Sequence, residues 1–460
     1  MSGEVFGRVA IGGYLSRTDG NVMSATSLAL AENPYARRFV LPAGDHLVTH
    51  ALTEASGLRN DLAFDGHGVC RLYRTTPGQG FLWVNPAPQN ITFRGITFDI
   101  VDTITNHRAM VNISEGINIA VENCFFDCSF PNATADGIYH AMNLLGGRNL
   151  VCRNNRFRGV QAVLCGLGRS AINVLCTDNL FEDCNDLGVS CVAGNSPGLV
   201  LRNIQITNNV FRDCHGAGYV YVGGDGTTDQ ADLSDILIVD NVGSGTLRTQ
   251  LVSGQRAAIQ VSWGLRNDRI RVTGNQVSTD NPTANAPLTY GIRAFSREGV
   301  MEYARDVEIS DNSVDFRSND TQTAIECSGV GISGVRVRRN YCAPGSRGLA
   351  LSNCSLTEVS DNQILGATSA AIVATATAPV TDFHVRRNHI ETVGVAKAGV
   401  QFSGASTFAR TSIVDNRILA AYSVIDVSGG ATFRYRDNTT TAALHESAVP
   451  AGGEIGTIAE

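Results

Sequence analysis

Two short stretches decide the fold: Cys176-Thr177-Asp178-Asn179-Leu180-Phe181 and Ile206-Thr207-Asn208-Asn209-Val210-Phe211. Each closes an apolar-x-apolar run with polar residues, an asparagine, one further residue and a phenylalanine. Related phrases stand at Val121-Glu122-Asn123 and Arg153-Asn154-Asn155-Arg156-Phe157. They return more weakly at Asn241, Asn275, Asn312, Asn340, Asn362, Asn388, Asn416 and Asn438. An earlier relative, without the asparagine, is Ile91-Thr92-Phe93 with Ile96-Thr97-Phe98. Apolar residues alternate by two, as in Ile204-Gln205-Ile206 and Val335-Arg336-Val337, which is the period of a strand and not of a helix. The interval between asparagines runs from 22 residues (340 to 362) to 37 (275 to 312). Constant strands joined by loops of changing length indicate a β-helix, whereas a propeller keeps a blade of about 40–45 residues. The expected fold is all-β: a single right-handed parallel β-helix of about 13 rungs, about 60 Å long at ~4.8 Å per rung.

The repeated asparagine has a physical task. It tolerates the left-handed conformation of a sharp corner, and stacked amides bond to one another from rung to rung. The twelve cysteines follow the same rhythm. Cys128, Cys184 and Cys214 each lie three residues after a phenylalanine, and Cys165, Cys191 and Cys327 lie two after an apolar strand residue. This describes columns of small apolar thiols filling a core, expected to be reduced; no C-x-x-C motif is present.

Working outward, residues 22–38 have helical composition and end near Pro34, which suggests a helical cap over the first rung. The expected organisation is 1–38 as N-terminal segment and cap, with a docking role for its glycine-rich start. The β-helix then occupies 39–438 and a tail 439–460. With 43% hydrophobic and 17% charged residues the chain is not disordered. A net charge of −7 with scattered cations excludes the basic stripe of a nucleic-acid binder. No apolar run approaches the ~20 residues needed to span a membrane. Residues 1–13 lack the charged and apolar regions of a signal peptide.

The stretch Phe39 to Gly68 (FVLPAGDHLVTHALTEASGLRNDLAFDGHG), with the N-x-F-x-x-C rungs, resembles the pectate-lyase-like β-helix superfamily, phage tailspikes included. The resemblance spans about 39–438. It implies a polysaccharide as partner and, for a spike-type member, a homotrimer docked to other virion proteins through its N-terminal segment. The missing signal fits a protein made in the cytoplasm and found on a virion, or outside the cell after lysis.

Chemistry on such a fold needs side chains from neighbouring rungs to converge. Asp136, Asp186 and His215 stand before successive strands and resemble the stacked N-T-D, D-D and G-H-G motifs of polygalacturonases. The departures are plain: the first motif reads Thr134-Ala135-Asp136, the second has one aspartate, and Cys214 precedes His215. The nearest match to the family's R-I-K element is Arg269-Ile270-Arg271. The catalytic reading competes with a turn role for both aspartates. Trp263, Tyr219 and Tyr221 offer apolar rings for pyranose faces, and Arg256, Arg293 and Glu326 complete the candidate substrate contacts. The loop bearing Asp225, Asp229, Asp232 and Asp235 is either a Ca²⁺ site or a solvated acidic loop. No other cofactor is expected. Three functions stay open: a virion spike that binds, with or without degrading, cell-surface polysaccharide; a free-standing hydrolase, lyase or epimerase; or a non-catalytic spacer or adhesin.

Overall fold

The computed structural model describes residues 7–53, 58–75, 81–84, 87–101, 109–128, 140–166, 168–184, 187–193, 198–214, 218–224, 231–245, 257–279, 290–296, 301–316, 322–343, 345–393, 398–426, 431–440 and 455–457. Apart from a 3-10 turn at Ile11–Arg17 and a helix at Val22–Glu32, these residues form strands, and the strand pairs are parallel. Each coil is therefore a strand–crossover–strand connection, which for parallel strands is right-handed. The fold is the right-handed parallel β-helix. Two compact units build it: Met1–Ala193 with Val200–Gly216, and Gly194–Leu199 with Ala217–Glu460.

In the first unit, the helix is capped by Asn21, whose side chain accepts from Met23 N and Ser24 N at 3.0 Å each. Its far end is held by Arg59, which donates to the carbonyls of Leu30, Asn33 and Ala36. The helix stops at Glu32, before Pro34, as its composition predicts. One coil precedes the expected first strand: Arg8–Ala10 pairs in parallel with Arg38–Val40.

Three strands make a coil. Ala171–Thr177, Leu180–Glu182 and Leu187–Val192 are one set, each paired in parallel with the coil before it, with one register shift between Val163 and Cys165. In-register stacking places like residues above one another. Phe98, Phe126, Phe157, Phe181 and Phe211 form one column, with centroids 5.0, 5.1, 4.6 and 4.9 Å apart and planes within 14°. The column passes through Phe126 and not Phe125. Cys128 is thus two residues beyond the column, paired with Ile100, and is not equivalent to Cys184 and Cys214. Likewise Asp127 is a strand residue bound by Arg158 (Nε 2.7 Å), whereas Asp183 and Asp213, two residues after Phe181 and Phe211, sit in turns at positive φ. Cys165 and Cys191 do pair. All twelve cysteines are buried and free.

The asparagine columns correct one expectation. The buried asparagines do not adopt the left-handed conformation; the residue before each one does, as at Asn154, Asp178, Asn208, Asp311 and Arg339 (φ +52° to +57°). The asparagine itself turns inward. Asn155 donates to Val121 O and to Asn179 Oδ1, and Asn179 donates to Cys152 O and to Asn209 Oδ1. In the second unit the chain of amides runs Asn241, Asn275, Asn312, Asn340, Asn362, Asn388, Asn416, Asn438, with amide-to-amide distances of 2.9–3.0 Å. At the first-unit start Cys124 takes the ladder position, its N–H reaching Asn155 Oδ1, because Asn123 is the left-handed residue.

Candidate functional site

In the second unit, Gly218–Gly223, Ala257–Ser262, Tyr290–Phe295 and the start of Thr323–Arg338 lie side by side in one sheet. Their inward residues Val220, Ile259, Ile292 and Ile325 stack into the core. Strand alternation then points the next residue of each outward, and the register aligns Tyr221, Gln260, Arg293 and Glu326 in one row. An outward row is ordinarily wet, yet Tyr221, Gln260 and Arg293 are each only 8% exposed. This outer face is recessed.

Arg293 is the centre of the row. Its guanidinium lies 3.7 Å from the Phe295 ring centroid and 4.4 Å from that of Tyr290. Its Nε donates to Glu326 Oε2 at 2.6 Å, and Glu326 Oε1 accepts from Ser328 Oγ at 2.8 Å. The two terminal nitrogens of Arg293 have no partner among the described residues. Burial, then the charge of Glu326, raises the Tyr290 phenol above its ordinary range, so Tyr290 is a neutral hydroxyl donor. The arrangement is a rigid guanidinium fork with one edge spent on Glu326 and another edge available to an oxyanion. Among the described residues the row holds a single carboxylate, so the pair that glycoside hydrolysis requires is not assembled there.

The remaining expected residues fall elsewhere. Asp136, Asp186, His215, Arg256, Asp225 and Asp229 lie outside the described residues. Trp263 was expected to face a sugar; it is 1% exposed, and its indole N–H donates to Ser328 O at 3.0 Å, so it packs inside the coil. Tyr219 is equally buried, and a side chain added at Gly243 would strike its ring. Tyr221 stays in the row, its hydroxyl donating to Gly224 O. Asp232 and Asp235 sit on the strand Asp232–Val239 and face arginines, Asp235 at 2.5 Å from Arg269 Nε. No group of three metal-ligating side chains occurs among the described residues. Sequence reasoning missed Gln260 and Phe295. Taking the residue after each of the repeated isoleucines Ile259, Ile292 and Ile325, which strand alternation turns outward, is the signal that finds Gln260.

With this geometry in place, known proteins can be set beside it. Residues 264–440 match the family model described as right handed beta helix region. No curated protein matches the chain. Among solved structures, the surface protein and adhesin PfbA of Streptococcus pneumoniae is 12% identical, covering 93% of this chain and 100% of that one, with a TM-score of 0.50. The mannuronan C-5 epimerase AlgE6 A-module of Azotobacter vinelandii is 13% identical over 95% and 100%, with a TM-score of 0.41. The Dettilon tailspike protein gp208 is 12% identical over 98% and 68%, with a TM-score of 0.33. These likenesses concern the fold alone: this chain has the right-handed parallel β-helix.

Proposed function

We propose that the protein is a polysaccharide-binding β-helix of the virion spike or fibre kind, acting on an acidic cell-surface glycan as a homotrimer. The observation that carries the reading is the recessed row Tyr221, Gln260, Arg293 and Glu326, with Arg293 against two rings and its terminal nitrogens uncommitted among the described residues. A fixed fork suits the planar carboxylate of a uronate or the oxygens of a sulfate ester, and Tyr221 and Gln260 on adjacent rungs supply contacts for neighbouring sugars. A place on the virion, or outside the cell after lysis, belongs to the same proposal.

The test is binding of the full chain to alginate, polygalacturonate and neutral exopolysaccharides, with reducing ends and unsaturated-uronate absorbance followed together. Arg293→Gln is expected to weaken binding of an acidic polymer about tenfold or more, the loss of roughly one to two charge-assisted hydrogen bonds. Unchanged affinity in a folded Arg293→Gln protein overturns the assignment. New reducing ends assign hydrolysis, and Asp136→Asn or Asp186→Asn should then abolish product while binding survives. Both signals rising together assign a lyase.

A further inference from the structure

The first unit carries a trough unrelated to the row above. It runs along the elbow where each coil leaves Val111–Glu122, His140–Arg153, Ala171–Thr177 or Val200–Thr207 and enters its next short strand. Its volume is about 680 Å³, and it is open to solvent along its length. One wall is the left-handed column Asn123, Asn154, Asp178 and Asn208, one residue per coil and all exposed. At ~4.8 Å per coil these four residues extend over about 14 Å.

The state of those amides is the informative feature. A second left-handed column in the same unit, Asn90, Asn118, Asn149, Asn173 and Asn203, is exposed except for half-buried Asn203, and there every carboxamide bonds to the next at 2.6–3.1 Å. In the trough, the carboxamides of Asn123, Asn154 and Asn208 have no partner among the described residues. The ladder asparagines behind them are satisfied internally. The opposite wall is the row Phe125, Arg156, Leu180 and Val210, apolar except for Arg156, whose guanidinium lies over the Phe125 ring at 5.0 Å. Charges at the trough cancel: Asp178 and Glu182 are matched by Arg156 and Arg212, both of which face Glu182, at 2.7 and 3.7 Å. A linear site with amide donors and acceptors on one wall, a mainly apolar strip on the other and no net charge matches a polyhydroxylated, uncharged chain. Such a chain presents hydroxyls at its edges and C–H surface on its faces.

We propose that this elbow is a second glycan site, binding an uncharged polysaccharide strand along the coil axis. It does not depend on the Arg293 row. Full-length protein is titrated with dextran, mannan, laminarin and galactan, and with alginate for comparison. Asn154→Gly/Asn208→Gly removes two amides while glycine keeps the left-handed backbone, and Leu180→Trp fills the trough. At least one neutral polymer is expected to bind, at least fivefold more weakly in both variants, with alginate affinity and melting temperature unchanged. The proposal is overturned if no neutral polymer binds, if both variants bind as the parent does, or if Arg293→Gln alone abolishes neutral binding. It is equally overturned if Leu180→Trp disrupts an oligomer and leaves glycan affinity intact, which would assign the trough to a second copy of the chain.

Discussion

At the scale of single residues, two side chains at each turn share the work that one asparagine was expected to do. The outer residue adopts the left-handed conformation, and the next one turns its amide into the core. A buried amide must satisfy donors and acceptor together, so its replacement is costly. Asn312 donates to Val272 O and Asn340 Oδ1, and accepts from the Asn275 N–H. Asn312→Ala should lose about 2–4 kcal/mol in urea unfolding, since it leaves a buried carbonyl and an N–H unpaired. The outer residue should tolerate change far better, and Asp311→Gly should cost under about 1 kcal/mol. A sharper steric limit lies at Gly147 (φ +123°), where an added Cβ would meet Gly116 O at 2.1 Å. Gly147→Ala should destabilise by more than about 2 kcal/mol, read as a fall in melting temperature against an Ala substitution at half-buried Gly168, also at positive φ (+78°) but with nothing within 4 Å of an added Cβ.

At the scale of the elements, the outer turns of the second unit are tied by ion pairs between coils. Arg339 grips Asp311 through Nε and a terminal nitrogen at 2.6 and 2.7 Å, and Arg387 grips Asp361 at 2.7 and 3.0 Å. These arginines hold Asp311 and Asp361 below the ordinary carboxylate value of 3.8, and Arg271 does the same for Asp306. A carboxyl whose folded pKa is depressed contributes stability that is present above its unfolded pKa and lost as pH falls through the folded one. Asp99, raised mainly by burial, acts in the opposite sense but is outnumbered. Melting temperature should therefore drop between pH 5 and pH 3. The drop should shrink in an Arg339→Gln/Arg387→Gln protein, each half-exposed pair being worth under about 1 kcal/mol. An acid response identical in parent and variant would show that other carboxylates govern it.

At the scale of the whole molecule, the proposed spike role makes a statement about assembly. Light scattering should give a molar mass near three times 48.9 kDa; a species of one chain mass would count against the spike. The side chains with the most evident catalytic pattern in the sequence, Asp136, Asp186 and His215, lie outside the described residues. The proposed binding row Tyr221, Gln260, Arg293 and Glu326 lies on strands whose register is fixed. Product assays on Asp136→Asn, paired with binding assays on Arg293→Gln, therefore test catalysis and binding separately.

How much of this was legible beforehand differs by level. The alternation by two, the recurring asparagine and the apolar cysteines are local properties, repeated in each copy, and they determined the strand content, the coil and the buried thiols without reference to any partner. Tertiary structure alone decided which side chains meet. Connections of changing length break the link between sequence distance and register, so only hydrogen-bonded pairing shows that Tyr221, Gln260, Arg293 and Glu326 share one row. The same pairing, one residue either way, moves a side chain from surface to core. Hence Trp263 lies inside rather than against a sugar, Phe126 rather than Phe125 joins the stack, and Cys124 begins the ladder that Asn123 was expected to begin.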